Sequence, residues 1–322
     1  MKNKIVIANM MRDKNKQSFF ALHQIYNKIK EFDNNIDVEF HILWDNKIEN
    51  DDTDKKWRDL IDNYGFNITS YTRKFFDDYC RNTYGIDETT INSFSKFTGI
   101  YFVLISQYLR RVKLYDTYLI YDDDIIIQYD FKDVIQSLLN DTAVFISEPM
   151  NQNCDKVMFS KLYQIYGEDL KRSYFEKNPN HMGFNAGFQG IDLSMYDDFL
   201  SSDRFEMLLR MFDYSGIYDQ NGKEVWGPKR FEFDTQQQSF FGLLNVAKCR
   251  KMPLILNPNE YFVIPNWGTH PTFGEMNPSD ENEGWTFAMK SKIVHFIGHT
   301  QGKGKPKFFI NYVDKYLSNI NI

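Results

Sequence analysis

Short apolar runs alternate with stretches of helical periodicity from the first residues onward, and this alternation narrows the fold more than any other feature. "KIVIAN" (4–9) suits a buried strand, and "NKQSFFALHQIYNKIKEF" carries Phe19, Leu22, Ile25, Tyr26 and Ile29 at helical spacing. "IDVEFHILW" alternates and then turns wholly apolar, as a strand does on entering a covered sheet. The opening therefore reads β-α-β. Helices are expected near 53–63, 73–82 and 93–111, followed by the strand "YDTYLIY"; a helix at 131–140, the strand "TAVFISE" and a helix at 156–170 repeat the theme. "MGFNAGFQGIDL" reads as a strand pair or a bent strand carrying glycines. Helices follow at 194–213 and 234–247, then the strand "SKIVHFIG" (291–298) and the amphipathic tail "KFFINYVDKYLSNI" as a last helix. Such alternation predicts an α/β fold, a three-layer α/β/α sandwich on a mixed, mostly parallel central sheet. Length allows one large domain or two, and with no internal repeat, linker or low-complexity tract a single domain over 1–322 is expected.

Composition excludes some functions. A net charge of −6 with no long Lys/Arg run argues against a nucleic-acid partner, whose binding draws on a basic field. The three cysteines, Cys80, Cys154 and Cys249, are odd in number and far apart, so neither a disulfide framework nor a thiolate metal site is read from them, and a cytoplasmic, reduced setting is expected. The N-terminus lacks a signal-peptide pattern. The most apolar window, "GIYFVLISQYL", is 11 residues long against the roughly 20 that a bilayer requires, so a soluble protein without a transmembrane segment is expected. Peripheral membrane contact through the last helix stays open. Aromatics at 17% serve mostly as core, with a surplus suited to stacking on bases or sugars.

"YLIYDDDIII" (118–127) sets Asp122, Asp123 and Asp124 between two strand-like blocks. Ligand sites in open α/β sheets lie outside the carboxyl ends of strands, where these residues fall. Asp122 and Asp124 point the same way on extended chain and can converge on one divalent cation, which relieves their repulsion and neutralises a bound phosphate. A solvated acidic turn is the plain alternative, and the apolar flanks weigh against it. "KIVHFIGHTQGKGKPKF" places His295 at a strand end, with Gly298, Gly302 and Gly304 interleaved among Lys303, Lys305 and Lys307. Glycines let backbone approach phosphate, lysines supply charge for it, and a neutral imidazole is a suitable third ligand to a Mn²⁺-type ion. In "GFNAGFQGIDL", Asn185, Ala186 and Gly187 permit close approach of a ligand or mark a β-bulge. In "FEFDTQQQSFFGLL", Asp234 reads as a helix N-cap with Gln237 as its capping-box partner.

In their order these blocks resemble family 8 glycosyltransferases, the retaining group of the GT-A fold that includes glycogenin and bacterial lipooligosaccharide galactosyltransferases. The matching blocks are "KIVIAN" with "VEFHIL", "YLIYDDDIII", "FNAGFQGIDL" and "IVHFIG…KPK", spanning nearly the whole chain. The resemblance implies a metal-dependent hexosyltransferase using a UDP-sugar donor, with a glycan or glycoprotein acceptor and Mn²⁺ or Mg²⁺ as cofactor. Carried over by position, Asp122, Asp124 and His295 hold the metal, Asp123 lies against the ribose, and Ala8 and Asn9 line the base. Gly298, Lys303 and Lys305 contact phosphate; Asn185, Ala186 and Gly187 face the donor sugar; Glu148 is a further sugar contact. The reaction-centre pair falls among Asp234, Gln236 and Gln237. The implied division is a nucleotide-binding half to about residue 130, a donor and acceptor half to about 300, and a C-terminal helix over 301–322. The chain departs from the pattern at Met10, where an acid is usual, and at Val103, where an arginine is usual and Lys96 is the nearest upstream cation. It also ends "KPK" in place of Lys-Pro-Trp. Two rival readings are a metal-dependent phosphohydrolase with Asp122 as nucleophile and a non-catalytic carbohydrate-binding protein.

Overall fold

β1 (Lys4–Met11) shows how the chain sorts itself: Ile5 and Ile7 enter one core, Val6 and Ala8 the other, because successive side chains of a strand leave opposite faces. A computed structural model of the chain describes residues 3–11, 13–45, 55–94, 99–147, 152–180, 183–212, 236–257, 261–265, 269–270, 274–275, 291–297 and 307–322. The further strands are β2 (Asp37–Trp44), β3 (Asn67–Tyr71), β4 (Thr117–Tyr121), β5 (Ile125–Ile127), β6 (Val144–Ser147), β7 (Phe184–Asp192), β8 (Leu254–Leu256), β9 (Tyr261–Pro265), β10 (Thr269–His270), β11 (Gly274–Glu275) and β12 (Ile293–Ile297). Seven of them form a sheet in the order β3-β2-β1-β4-β7-β6-β8. Only the two pairings made by β7 are antiparallel, so the sheet is mixed and mostly parallel, as the alternation predicted. A smaller sheet, β5-β12-β9, stands beside it, and β10 pairs with β11.

Helices cover both faces. α1 (Lys16–Phe32), α2 (Lys55–Asn63), the helix Lys132–Leu139 and the C-terminal helix Lys307–Asn319 supply one core, with Phe19, Phe20, Ile25, Ile61, Val134 and Phe309 all buried. α3 (Arg73–Tyr84), the helices Ile100–Arg111, Gln152–Tyr166, Glu168–Lys177 and Ser202–Met211, and the helix Gln236–Lys248 supply the other. Each fully buried Phe, Ile or Leu contributes about 1.5–3 kcal/mol, so two such cores readily hold a sheet between them. Helix ends follow local chemistry. Asn15 caps α1 by accepting from the amides of Gln17 (2.9 Å) and Ser18 (3.0 Å), and Gly85 closes α3 in the left-handed conformation.

Three helix expectations are corrected. The helix expected over 93–111 is a short one, Glu88–Phe94, and a second starting at Ile100 after Gly99. The one expected over 156–170 runs Gln152–Tyr166, stops at Gly167 with φ of 60°, and resumes as Glu168–Lys177. That over 194–213 splits into a 3₁₀ segment, Leu193–Phe199, and Ser202–Met211. Apolar periodicity continued through each break, because both pieces pack on the same core. No helix among the described residues is long and apolar enough to cross a membrane.

Candidate metal centre

β4 ends at Tyr121 and β5 starts at Ile125, so Asp122, Asp123 and Asp124 form the turn that carries the chain from the large sheet into the small one. Its backbone is gripped on both sides. The Asp122 amide donates to the Gly187 carbonyl (2.8 Å), and the Phe296 amide donates to the Asp124 carbonyl (3.0 Å). The outer edge of β5 is served by α1: the Gln24 side-chain amide donates to the Ile125 carbonyl (2.8 Å) and accepts from the Ile127 amide (3.0 Å), as a neighbouring strand would. Asn9 Nδ2 donates to the Tyr121 carbonyl, and its Oδ1 accepts from the Met10 amide at 2.8 Å, tying β1 to the last residue before the aspartates.

β12 supplies the third candidate ligand. It runs antiparallel to β5 with His295 opposite Ile125, which delivers the imidazole to the aspartate turn. His295 Nε2 lies 3.1 Å from Asp122 Oδ2 and 3.1 Å from Asp124 Oδ1, and ligand atoms of the three residues fall within 4.8 Å of one another. Asp124 and His295 are buried, while the Asp122 side chain is 43% exposed and forms the solvent side of the cluster. Burial alone would push the His295 imidazole down, but the charge of Asp124, and then Asp122, overrides it and holds the group at about 10. Two carboxylate oxygens and an imidazole nitrogen form a donor set suited to Mn²⁺, and with its oxygens to Mg²⁺, so the residues fit a divalent ion.

β7 completes the floor. The β6–β7 register jumps from Phe145↔Gln189 to Ile146↔Asn185, so β7 bulges over 186–188. Asn185 Oδ1 accepts from the Gly187 amide at 2.7 Å, and the Gly187 carbonyl holds Asp122 as described. Asn185 and Ala8 are buried, Asp123 is half-buried, and Met10 and the fully buried Val103 pack in the core that holds Ala8. Gln236 and Gln237 open the helix Gln236–Lys248, and Ala186 lies in β7; their side chains are outside the described residues. Lys96, Glu148, Asp234, Gly298, Lys303 and Lys305 also lie outside the described residues.

Two long-range interactions went unread in the sequence. Gln24 sits on a helix with no local mark of its role. Arg73 pairs with Asp45 through Nε (2.6 Å) and Nη2 (2.8 Å), its guanidinium 5.1 Å from the centre of the Tyr101 ring. It thus sets a cation beside the helix Ile100–Arg111 from a neighbouring element. Its partner is 28 positions away, so no short motif could have revealed it.

No family model and no curated protein matches this chain. Solved structures of similar backbone arrangement exist. Mouse xyloside xylosyltransferase 1 is 12% identical, with 94% of this chain and 100% of that one covered and a TM-score of 0.45. The galactosyltransferase LgtC, in complex with donor and acceptor sugar analogues, is 12% identical over 97% of this chain and 96% of its own, with a TM-score of 0.45. The bifunctional glycosyltransferase WbbM is 12% identical over 99% of this chain and 50% of its own, with a TM-score of 0.49.

Proposed function

We propose that this chain is a metal-dependent retaining glycosyltransferase that moves a hexosyl group from a UDP-sugar of the glucose, galactose or N-acetylglucosamine type to a hydroxyl of a glycan or protein. The observation that carries this reading is the meeting of Asp122, Asp124 and His295, the first and last of them 173 positions apart in the chain, on one point at the carboxyl end of β4. An acid pair alone suits many chemistries. An acid pair with an imidazole, at the carboxyl end of the central strand of a mostly parallel sheet and followed by a Gly/Lys tract, suits a nucleoside diphosphate leaving group.

Asp122, Asp124 and His295 would hold Mn²⁺ or Mg²⁺, which supplies Lewis acidity to the departing diphosphate. The bond from the anomeric carbon to phosphate oxygen breaks with its electron pair on UDP, leaving an oxocarbenium-like centre. The acceptor hydroxyl bonds to that carbon on the same face, and its proton passes to the leaving phosphate. Lys303 and Lys305 share the growing charge, Gly298 gives backbone access to it, and Asp123 takes the ribose. Asn185, Ala186 and Glu148 line the sugar, while Asp234, Gln236 or Gln237 stabilises the sugar cation from its other face. The thiols of Cys80 and Cys249 are free and buried, which suits a cytoplasmic setting.

The test is binding of UDP with and without Mn²⁺, followed by a panel of nucleotide-sugars assayed for slow metal-dependent hydrolysis. Wild type is expected to bind UDP only with the ion and to hydrolyse one donor preferentially. Asp124→Asn and His295→Ala are expected to abolish both. Unchanged UDP binding in these variants removes the proposal, and release of inorganic phosphate from simple phosphomonoesters would favour a phosphohydrolase instead.

A further inference from the structure

Gly187 lies against the imidazole of His295. A Cβ built on Gly187 would fall 2.1 Å from His295 Cε1 and 2.4 Å from Nδ1, and 2.8 Å from Asn185 Oδ1. Real Cβ atoms essentially never approach heavy atoms this closely, and here the obstacle is a buried ring in a packed strand, which has little room to give. The backbone of Gly187 needs no left-handed conformation, as it is not among the positive-φ glycines, so its lack of a side chain answers to space alone.

The same residue touches the other arm of the cluster. Its carbonyl accepts from the Asp122 amide at 2.8 Å, and its amide donates to Asn185 Oδ1 at 2.7 Å. Gly187 therefore contacts one candidate ligand by a hydrogen bond and another by surface. The ring shows the result. Nε2 faces both aspartates, while Nδ1 is turned toward β7, buried and with no hydrogen-bond partner among the described residues. A larger residue at 187 would rotate or push the ring away from the aspartates.

Resting on the reading of the cluster as a metal site, we infer that Gly187 is a positioning residue for the cation: the bulge at 186–188 is a seat that presents His295 Nε2, rather than Nδ1, to Asp122 and Asp124. Asn185 holds the seat in shape by fixing the Gly187 amide. In this assignment Gly187 is required by the metal ligand whatever sugar the site takes. Outer-shell groups of this kind typically change metal affinity by about 10–100-fold.

The experiment compares wild type, Gly187→Ala, His295→Ala and the double variant in the full chain, using Mn²⁺ alone as the probe, without nucleotide. The first readout needs no ion: imidazole ¹H–¹⁵N resonances of His295 in the cation-free protein. Gly187→Ala is expected to shift them while Tm and the far-UV spectrum report a folded chain. The second is Mn²⁺ affinity by calorimetry, where Gly187→Ala is expected to weaken binding about tenfold or more, and to weaken it no further in the His295→Ala background. Should Gly187→Ala fail to fold, the double variant is expected to recover most of the lost Tm, since the clashing ring is gone. A Gly187→Ala chain with unmoved His295 resonances and wild-type Mn²⁺ affinity overturns the assignment, as does, where Gly187→Ala fails to fold, a double variant that folds no better. If Gly187→Ala moves His295 while wild type itself takes no divalent cation, the seat stands and the glycosyltransfer reading falls.

Discussion

His295 lies between Asp122 and Asp124 in the aspartate turn, and His41 lies beside Glu39 in the middle of β2; both are buried imidazoles next to carboxylates. Burial pushes both down, yet His295 stands at about 10 and His41 at about 4. The difference is how the acids are already partnered. Glu39 receives Lys4 Nζ at 2.9 Å and the Tyr115 hydroxyl at 2.7 Å, which hold it below the usual range although burial alone would raise it. His41 needs no charge there. Its Nδ1 meets the Tyr71 hydroxyl at 2.7 Å and its Nε2 meets Glu39 at 3.1 Å, closing a network in which every partner is internal. At the aspartate turn two acids face one ring, and their charge outweighs its burial. The carboxylate beside His41 is closed by lysine and tyrosine, whereas the pair beside His295 includes a solvent-facing acid.

The contrast can be broken by mutation. The largest effect is expected at the turn: Asp124→Asn should lower Mn²⁺ affinity about a hundredfold or more, whereas Glu39→Gln should leave it unchanged, both read by calorimetry. Equal losses would mean that the two clusters do not differ in kind.

A second effect concerns acid. Folded His41, at about 4, binds fewer protons than the same group unfolded at 6.5, so its contribution is present above pH 6.5 and lost as pH falls toward 4. His23, held between the hydroxyls of Tyr316 (2.8 Å) and Tyr64 (2.6 Å) and also pushed by burial to about 4, behaves alike. Each should cost about 3 kcal/mol across that window, seen as a fall in urea midpoint that replacing the histidine with a neutral residue flattens. His295 runs the other way: its folded value is raised, so its contribution in cation-free protein is full below pH 6.5 and fades as pH rises toward 10. Cation binding at neutral pH should then release a proton, measurable by calorimetry in buffers of different ionisation enthalpy.

The smallest effect sharpens the structural side. Tyr115→Phe removes one donor to Glu39 and should cost about 1 kcal/mol in chemical denaturation without altering metal affinity.

Much of the architecture was legible because it rests on local patterns. Ile5, Ile7, Val6 and Ala8 alternate between two cores, and an alternating strand says this by itself. The aspartate turn was visible for the same reason, as acids at the end of an apolar run. Helix breaks at Gly99 and Gly167 were not, since apolar spacing runs on where two pieces share a core. Gln24 and Arg73 were missed because each acts on residues remote in the chain.

The linear sequence by itself determined which stretches would be strands, which faces they would bury, and that Asp122 and Asp124 would stand at a strand end, since these depend on neighbours a few residues apart. Only the tertiary structure decided that His295 meets them, that Gly187 makes room for its ring, and that His41 is a closed network. Those outcomes depend on the register of β12 against β5 and on a bulge in β7, which are set by packing between segments far apart in the chain.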